Sequence, residues 1–141
     1  MLEEQQVDAA MLYTSDHGED IFDDSRHLFL HASPVPSYYQ FHVPFLIWMS
    51  DIYRETYPEH WKAMVENKDK NISSSCSFFP TMLELGGVET SYRNDAYSVV
   101  SPLYTMKPRV YLNDHNEPRP LDDLGMRKPD FQMLKATGFK Y

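Results

Sequence analysis

The pattern of apolar and polar positions predicts two strong β-strands, each of which is apolar along its whole length. The first covers residues 9–14 and the second covers residues 41–49. A continuous apolar run, unlike an alternating one, is typical of a strand that is covered on both faces. The two strands therefore favour a sheet that is buried inside a layered domain.

Two helices are predicted to follow the second strand. The first spans Pro58–Asn67, where the proline occupies the first helical position. The second spans residues 77–85 and ends at a Gly-Gly pair, and Pro80 is acceptable there because it falls in the first turn. A late strand over residues 109–113 and an irregular, proline-rich tail over residues 114–141 complete the prediction.

The order of the predicted elements indicates the fold class. Strand, long loop, strand, helices and short strand fit an α/β layer architecture with a mainly parallel sheet. The loop over residues 15–40 is long for a compact domain, and such loops are more often functional than accidental. Residues 1–10 look like the last turns of an amphipathic helix, which fits either a complete α/β domain or a piece of a longer one.

Charge and hydropathy exclude several classes of partner. The chain has 141 residues and a net charge of −8, and its lysines and arginines form no cluster, so no nucleic-acid partner or anionic membrane surface is expected. The longest apolar run is far shorter than the roughly 20 residues of a membrane span, and the first ten residues lack the features of a signal peptide. Cys76 is the only cysteine, which excludes an internal disulfide, and it is predicted to lie in the core.

Asp16 and His17 follow directly after the first strand. In open α/β sheets ligands bind beyond the carboxyl ends of the strands, and a carboxylate beside an imidazole suits zinc or another divalent cation. Gly18 is expected to let the chain turn there without the conformational penalty that a Cβ imposes. The alternative is that Asp16, His17 and Gly18 form only a turn, since aspartate and glycine favour turns. The residues by themselves leave both interpretations open.

Other polar residues of the long loop are candidates for supporting roles. His31 lies beyond the acidic part of the loop and His42 opens the second apolar stretch, whereas the histidines at 27, 60 and 115 are predicted to be surface residues. The acidic side chains could accept hydrogen bonds that orient a metal ligand, or could simply be solvated. These acidic residues are Glu19, Asp20, Asp23 and Asp24.

Four segments together resemble a known family. "MLYTSDHGED", "LFLHASP", "HVPFLIWMS" and "FFPTMLELGGVET" resemble, over residues 9–90, the C-terminal part of the sulfatase-like phosphoethanolamine transferases of the alkaline phosphatase superfamily. The resemblance implies an α/β fold, namely the C-terminal portion of an alkaline-phosphatase-like, three-layer domain with a mainly parallel sheet. Residues 1–141 would then be a single segment of an incomplete catalytic domain, without the membrane domain.

The resemblance also implies a zinc cofactor and a set of site residues. In the family the zinc is held by a glutamate, a threonine nucleophile and an Asp-His pair, and Asp16 and His17 match that pair. His31 matches a histidine near the transferred phosphate or a second zinc, which implies a catalytic and substrate-binding role. His42 stands where several members carry a histidine before Val-Pro, which implies contact with substrate. The glutamate and the threonine lie upstream in the family, outside these 141 residues.

The implied activity is transfer of a phosphoethanolamine group from phosphatidylethanolamine to lipid A or another envelope glycan. The family implies an inner-membrane protein whose catalytic domain faces the periplasm, attached through upstream helices, with no nucleic-acid partner. The segment alone is expected to be inactive. One alternative is a sulfatase or phosphodiesterase-type hydrolase of the same superfamily. The other is a non-catalytic α/β module.

Overall fold

The computed structural model describes residues 6–31, 35–105, 108–113, 115 and 117–138. The elements in chain order are β1 (Ala10–Thr14), β2 (Asp20–Ile21), β3 (Phe29–Leu30), α1 (Tyr38–Phe41), β4 (Phe45–Met49), α2 (Asp51–Thr56), α3 (Pro58–Asn67), α4 (Ser74–Leu85), a 3-10 turn (Asp95–Tyr97), β5 (Tyr111–Leu112), β6 (Pro118–Arg119), a second 3-10 turn (Leu121–Leu124) and α5 (Lys128–Ala136). None of the helices in these ranges is long and apolar enough to cross a membrane.

The described residues fall into two compact units. The first is formed by the described residues of Met1–Thr14 and Pro44–Met106, and the second by those of Ser15–Val43 and Lys107–Tyr141. The first unit contains β1, β4 and the helices α2 to α4. The second contains the short hairpins β2–β3 and β5–β6 together with α1 and α5.

The sheet of the first unit corrects one part of the sequence prediction. β1 and β4 pair antiparallel, with Ala10 opposite Met49 and Thr14 opposite Phe45. The α/β class is confirmed, but all three strand pairs among the described residues are antiparallel, whereas a mainly parallel sheet was predicted. A continuous apolar run indicates burial and carries no information on the direction of the neighbouring strand, which explains the difference.

The two faces of the β1–β4 pair differ in burial. Met11 and Tyr13 are 45% and 53% exposed, and their cross-strand partners Trp48 and Leu46 lie on the same face. The predicted cover on both faces is therefore absent within the described residues. On the other side of the unit, Met49, Tyr53 and Val100 form a buried cluster against which four partly buried residues pack. These are Ala10, Ile47, Met64 and Leu85.

Ser50 joins the sheet of the first unit to its helices. Its hydroxyl accepts a hydrogen bond from the Tyr53 N–H at 3.0 Å, which caps α2, and another from the Ala9 N–H at 3.1 Å. A serine at this position satisfies an amide that the helix cannot pair internally. One side chain thus fixes the start of β1, the end of β4 and the start of α2.

The predicted helix Pro58–Asn67 is confirmed with the same bounds as α3. α4 begins three residues earlier than predicted, at Ser74, so Pro80 lies inside the helix and not in its first turn. The missing amide of Pro80 leaves the carbonyl four residues earlier, that of Cys76, without its helical partner. Cys76 is exposed, and its predicted core position is therefore wrong.

His60 departs from the surface position predicted for it. Its side chain is only 12% exposed, and its Nδ1 lies 2.9 Å from the Tyr53 hydroxyl. The Tyr57 ring stacks on the imidazole, and burial raises the pKa of Tyr53 above its usual range. His27 and His115 are exposed, as predicted.

The second unit has its core in the segment predicted to be an irregular tail. Leu121, Leu124, Met126 and Leu134 are buried together, the first pair on a 3-10 turn and the last on α5. The prediction of an irregular tail is therefore wrong. The late strand predicted over residues 109–113 is present in shorter form as β5.

Two sequence predictions near the chain start and the second strand also need correction. The strand predicted from residue 41 begins at Phe45, because Tyr38–Phe41 forms the short helix α1. Residues 6–9 are not helical, and residues 1–5 of the predicted helix end lie outside the described residues.

Candidate functional site

The candidate site lies in the second unit, in the segment that directly follows β1. Ser15 donates from its hydroxyl to the His17 carbonyl at 2.7 Å, which tightens the chain immediately after the strand. The Gly18 N–H donates to the Gln40 carbonyl at 3.0 Å and fastens the segment to α1. These bonds hold the backbone of residues 15–18 in one conformation.

Gly18 is required here for a reason other than the predicted one. Its φ is not in the left-handed region, so backbone freedom is not what the position demands. A Cβ built on Gly18 would lie 1.9 Å from the Tyr39 carbonyl oxygen, which is a backbone atom. The glycine therefore permits a close approach between the site segment and α1.

Asp16 is an exposed carboxylate that is held in its ionised form. Its Oδ1 accepts a hydrogen bond from the His17 N–H at 3.0 Å, and its side chain is 86% exposed. The hydrogen bond from the backbone N–H of His17 lowers the pKa of Asp16 below its usual range. A negative oxygen is therefore available at the surface of the site.

His17 presents one ring nitrogen to Asp16 and uses the other for orientation. Nδ1 lies 3.1 Å from the Gly18 carbonyl, an acceptor only, so Nδ1 carries the hydrogen of that bond. Nε2 then has its lone pair free and lies 3.6 Å from Asp16 Oδ2. A metal-binding histidine commonly donates its other N–H to a backbone carbonyl in this way.

The spacing of Asp16 and His17 suits one shared cation. Two ligands of a tetrahedral zinc, each about 2.1 Å from the ion, lie roughly 3.4 Å apart. The observed 3.6 Å between Asp16 Oδ2 and His17 Nε2 is close to that separation. The donor set of one carboxylate oxygen and one imidazole nitrogen also fits zinc.

Glu19 connects His17 to His31. The His31 Nδ1–H donates to Glu19 Oε1 at 2.7 Å, and the same oxygen lies 3.6 Å from His17 Nδ1. The rings of His17 and His31 have centroids 3.9 Å apart. Donor atoms of His17, Glu19 and His31 all lie within 4.8 Å of one another, and they are the one such group within the described residues.

One oxygen of Glu19 is left without a partner. Glu19 Oε2 is buried and has no hydrogen-bond partner within the described part of the chain. A buried carboxylate oxygen needs a cation or a hydrogen-bond donor. The orphaned atom is an observation that favours a positively charged ligand beside His17 and His31.

His42, the remaining predicted site residue, lies outside the group formed by His17, Glu19 and His31. His42 is exposed, and its Nδ1 lies 2.7 Å from the Tyr38 hydroxyl, with the two rings stacked. It is not a member of the His17, Glu19 and His31 group. The structure thus brings His31 to the Asp16–His17 segment and gives His42 a contact with α1.

The acidic residues of the loop divide into one site residue and three with structural bonds. Asp20 is buried and accepts hydrogen bonds from the side chains of Ser37 and Gln40, both at 2.6 Å. Asp24 accepts from Arg26, and Asp23 accepts from the Ile21 N–H at 2.8 Å. Glu19 alone contacts a candidate histidine, a role that the sequence left open among four acidic residues.

Comparison with protein families gives a match over the first part of the chain. A family model described as Sulfatase matches residues 1–88. Phosphoethanolamine transferase EptA from Salmonella typhimurium is 33% identical over 95 residues, which cover 66% of this chain and 17% of EptA. Phosphoethanolamine transferase EptC from Escherichia coli is 26% identical over 108 residues, covering 76% of this chain and 18% of EptC.

Solved structures give the same picture. The C-terminal periplasmic domain of EptC from Escherichia coli matches with a TM-score of 0.65 and 25% identity, over 82% of this chain and 33% of that domain. A zinc complex of the same domain matches with a TM-score of 0.71 and 23% identity, over 92% of this chain and 35% of that one. The chain therefore spans about a third of the solved domain and less than a fifth of the curated relatives.

Proposed function

Because the chain belongs to the sulfatase family, we propose that it forms part of the catalytic domain of a metal-dependent phosphoethanolamine transferase. The donor would be phosphatidylethanolamine and the acceptor a lipid A-type or other envelope glycan. The names of the similar proteins EptA and EptC support the activity. The periplasmic neighbours support an inner-membrane protein whose catalytic domain faces the periplasm.

The observation that carries the proposal is the arrangement of Asp16 and His17. The Gly18 carbonyl fixes the tautomer of His17, so that Nε2 and the ionised Asp16 Oδ2 stand 3.6 Å apart as two ready ligands. These two residues would hold zinc, and the bound ion would supply positive charge to phosphoryl oxygens and to a nucleophile. Zinc is the cofactor proposed for this chain.

His31 is proposed to act on the substrate phosphate. Its Nδ1–H is engaged by Glu19 at 2.7 Å, which orients the ring and leaves Nε2 on the opposite side. A histidine held in this way can donate a hydrogen bond to a phosphoryl oxygen or protonate a leaving oxygen. His42 is proposed as a more distant substrate contact, positioned by Tyr38.

The ligand set in this segment is incomplete by the standard of a closed tetrahedral site, since Asp16 and His17 supply two of four ligands. We therefore expect weak zinc binding by the 141-residue chain, with a dissociation constant in the micromolar range or above. Asp16→Asn and His17→Gln should each abolish the binding, and His42→Gln should leave it unchanged. Isothermal titration with zinc chloride measures all four proteins.

Acid should weaken that binding, because an imidazole must lose its proton to bind a metal. The titration is therefore repeated at a lower pH, where a smaller binding constant is expected. Submicromolar affinity at neutral pH would contradict the proposal of a half-complete site. Unchanged binding by Asp16→Asn would remove Asp16 from the ligand set.

We also expect the 141-residue chain to be inactive alone. In the family that the sequence resembles, the nucleophile and a further zinc ligand come from upstream sequence. The match to EptA covers 17% of the length of EptA. Incubation with zinc and a chromogenic phosphodiester should give no hydrolysis above the buffer rate. Hydrolysis that disappears on Asp16→Ala would show instead that these residues contain a working centre.

A hydrolase of the same superfamily is the second candidate, because the matching family model is described as Sulfatase. A metal-binding Asp-His pair is compatible with transfer of the group to water, as in a hydrolase, and with transfer to a glycan. The identity of the nucleophile upstream distinguishes the two: a threonine favours the transferase, and a cysteine or serine favours a sulfatase. In a non-catalytic module, the third alternative, Asp16→Asn would have no effect on zinc binding.

A further inference from the structure

Asp20, the first residue of β2, is a buried carboxylate with both oxygens engaged. It is 2% exposed, and its Oδ1 and Oδ2 accept hydrogen bonds from the Ser37 hydroxyl and the Gln40 side-chain amide, each at 2.6 Å. Both donors are neutral, and both are buried. Burying a carboxylate costs free energy unless hydrogen bonds compensate it. Apolar side chains of similar volume could fill the same space without that requirement, so the arrangement indicates a role beyond packing.

The two donors to Asp20 come from α1 and from the residue before it. Ser37 stands where a serine commonly caps a helix, yet its hydroxyl makes no capping bond and donates to Asp20 instead. Gln40 lies within α1 and makes two contacts. Its side chain donates to Asp20, and its backbone carbonyl accepts from the Gly18 N–H at 3.0 Å. Gln40 therefore holds the chain on both sides of Glu19.

The buried position of Asp20 is linked to the direction of Glu19. The side chains on either side of Asp20 are exposed, 37% for Glu19 and 64% for the residue Ile21, as expected where successive side chains point to opposite faces. On the exposed side, Glu19 Oε1 accepts the 2.7 Å bond from His31. Asp20 is also the cross-strand partner of Leu30, which directly precedes His31. Asp20 therefore anchors both ends of the contact between Glu19 and His31.

The contact between Asp20 and Gln40 also reaches His17, through Gly18. The Gly18 carbonyl accepts the bond from His17 Nδ1 at 3.1 Å, and the Gly18 N–H is the group that bonds the Gln40 carbonyl. A movement of Gln40 would therefore shift Gly18, and with it the acceptor that selects the tautomer of His17. All five residues belong to the second unit. Each oriented histidine of the site thus depends on the same buried contact.

We propose that Asp20 and Gln40 are positioning residues, whose buried contact holds His17 and His31 in the orientation that the site requires. Neither residue touches zinc or substrate in this proposal. The inference rests on the proposed function, since it assigns that site two further residues that act through others. Breaking the contact is expected to change the state of the two histidine rings and not only the stability of the unit.

The test reads the imidazole nitrogens of the metal-free 141-residue chain by heteronuclear NMR, under alkaline conditions in which the rings are neutral. Protonated and unprotonated ring nitrogens differ in chemical shift, so the spectrum gives the tautomer. In the wild type, His17 and His31 should both carry the hydrogen on Nδ1, which faces Gly18 and Glu19 respectively. Asp20→Asn should reduce the Nδ1–H fraction of both rings to less than about half, because the bonds that select this tautomer are displaced.

Asn67→Asp is the matched control for Asp20→Asn. Asn67 is 3% exposed on α3 of the first unit, and its side-chain amide donates to the Val99 and Ser101 carbonyls. The control also exchanges an amide and a carboxylate and also breaks buried hydrogen bonds. It should leave both histidine rings with the wild-type tautomer. Circular dichroism establishes that each variant is folded.

The exchange variant Asp20→Asn/Gln40→Glu provides a rescue at unchanged net charge. The amide at position 20 can donate to the carboxylate at position 40, and its oxygen can still accept from Ser37. Both Nδ1–H signals should return. In a zinc titration, Asp20→Asn should bind about tenfold more weakly than the wild type, the exchange variant within about threefold of it, and Asn67→Asp within about twofold.

Three results would overturn the positioning role. These are wild-type ring signals in Asp20→Asn, a loss of the signals that the exchange does not restore, and an equal loss in Asn67→Asp. If Asp20→Asn does not fold, Gln40→Met decides, because it removes only the side-chain donor and keeps the carbonyl that binds Gly18. Gln40→Met should also reduce the Nδ1–H fraction, and unchanged rings in that variant would overturn the proposal.

The two measurements separate this proposal from the proposed function. Zinc binding by the wild type together with rings that Asp20→Asn leaves unchanged contradicts the positioning role alone. The expected change of the rings without zinc binding by the wild type contradicts the metal site alone.

Discussion

Replacing Arg26 by methionine is expected to lower the free energy of unfolding by about 3–5 kcal/mol. Asp130 is fully buried on α5 and accepts hydrogen bonds from Arg26 Nη1 at 2.7 Å and Nη2 at 2.9 Å. The Tyr38 N–H also donates a hydrogen bond to Asp130 Oδ1, at 3.0 Å. Hydrogen bonds to Asp24 and then to Asp130 raise the pKa of Arg26. Without the guanidinium, a carboxylate would remain buried with no compensating charge.

Urea unfolding followed by circular dichroism measures the loss, and hydrogen exchange of the amides of α5 shows whether the second unit opens first. Arg119→Met is the matched control, because Arg119 pairs with Glu117 at the surface and should lose no more than about 1 kcal/mol. The double variant Arg26→Met/Asp130→Leu should recover part of the stability, since it leaves no buried charge. A loss for Arg26→Met as small as that for the control would show that the ion pair does not hold this unit.

Replacing Gly18 by alanine is expected to damage stability and metal binding together. The new Cβ would lie 1.9 Å from the Tyr39 carbonyl oxygen, so the backbone of the site segment or of α1 has to move. Overpacking of this kind costs about 1–3 kcal/mol or more. The movement would also displace the Gly18 carbonyl that orients His17, and loss of such an orienting bond weakens metal binding about 10–100-fold.

Gly86→Ala provides the control for Gly18→Ala. A Cβ built on Gly86 would have the Met82 carbonyl oxygen as its nearest atom, at 3.4 Å, which is an ordinary contact. The φ of Gly86 is −86°, which an alanine also adopts. Its unfolding free energy should change by less than about 0.5 kcal/mol, and its zinc titration should match the wild type. Wild-type zinc affinity in Gly18→Ala would mean that the close approach to α1 plays no part in orienting His17.

The sequence predicted the elements whose limits are marked by local chemistry. Pro58 marks the start of α3, and the apolar run before Asp16 marks β1 to within one residue. α5 was missed although Pro129 and the acidic Asp130 are start signals, because the surrounding segment is rich in prolines and charges. The direction of β4 beside β1 could not be predicted, since both strands have the same apolar pattern in either direction.

The candidate site was predictable only in part for a similar reason. Asp16 and His17 are neighbours in sequence, so their joint chemistry is visible without a structure. The link between Glu19 and His31 depends on a hairpin that brings together residues twelve positions apart. The sequence offered four acidic residues for that role, and only the hairpin pairing decides among them. The burial of His60 likewise depends on Tyr53 and Tyr57, which lie on the preceding helical turns.

Closure of the β2–β3 hairpin at its base has a consequence for engineering. Glu19 and His31 meet at the base of the two strands, so residues can be inserted between Phe22 and Leu28 without altering how the two side chains meet, provided that Arg26 keeps its pairing with Asp130. A fluorophore or an affinity peptide inserted in that connection would leave Asp16 and His17, the proposed metal ligands, in place.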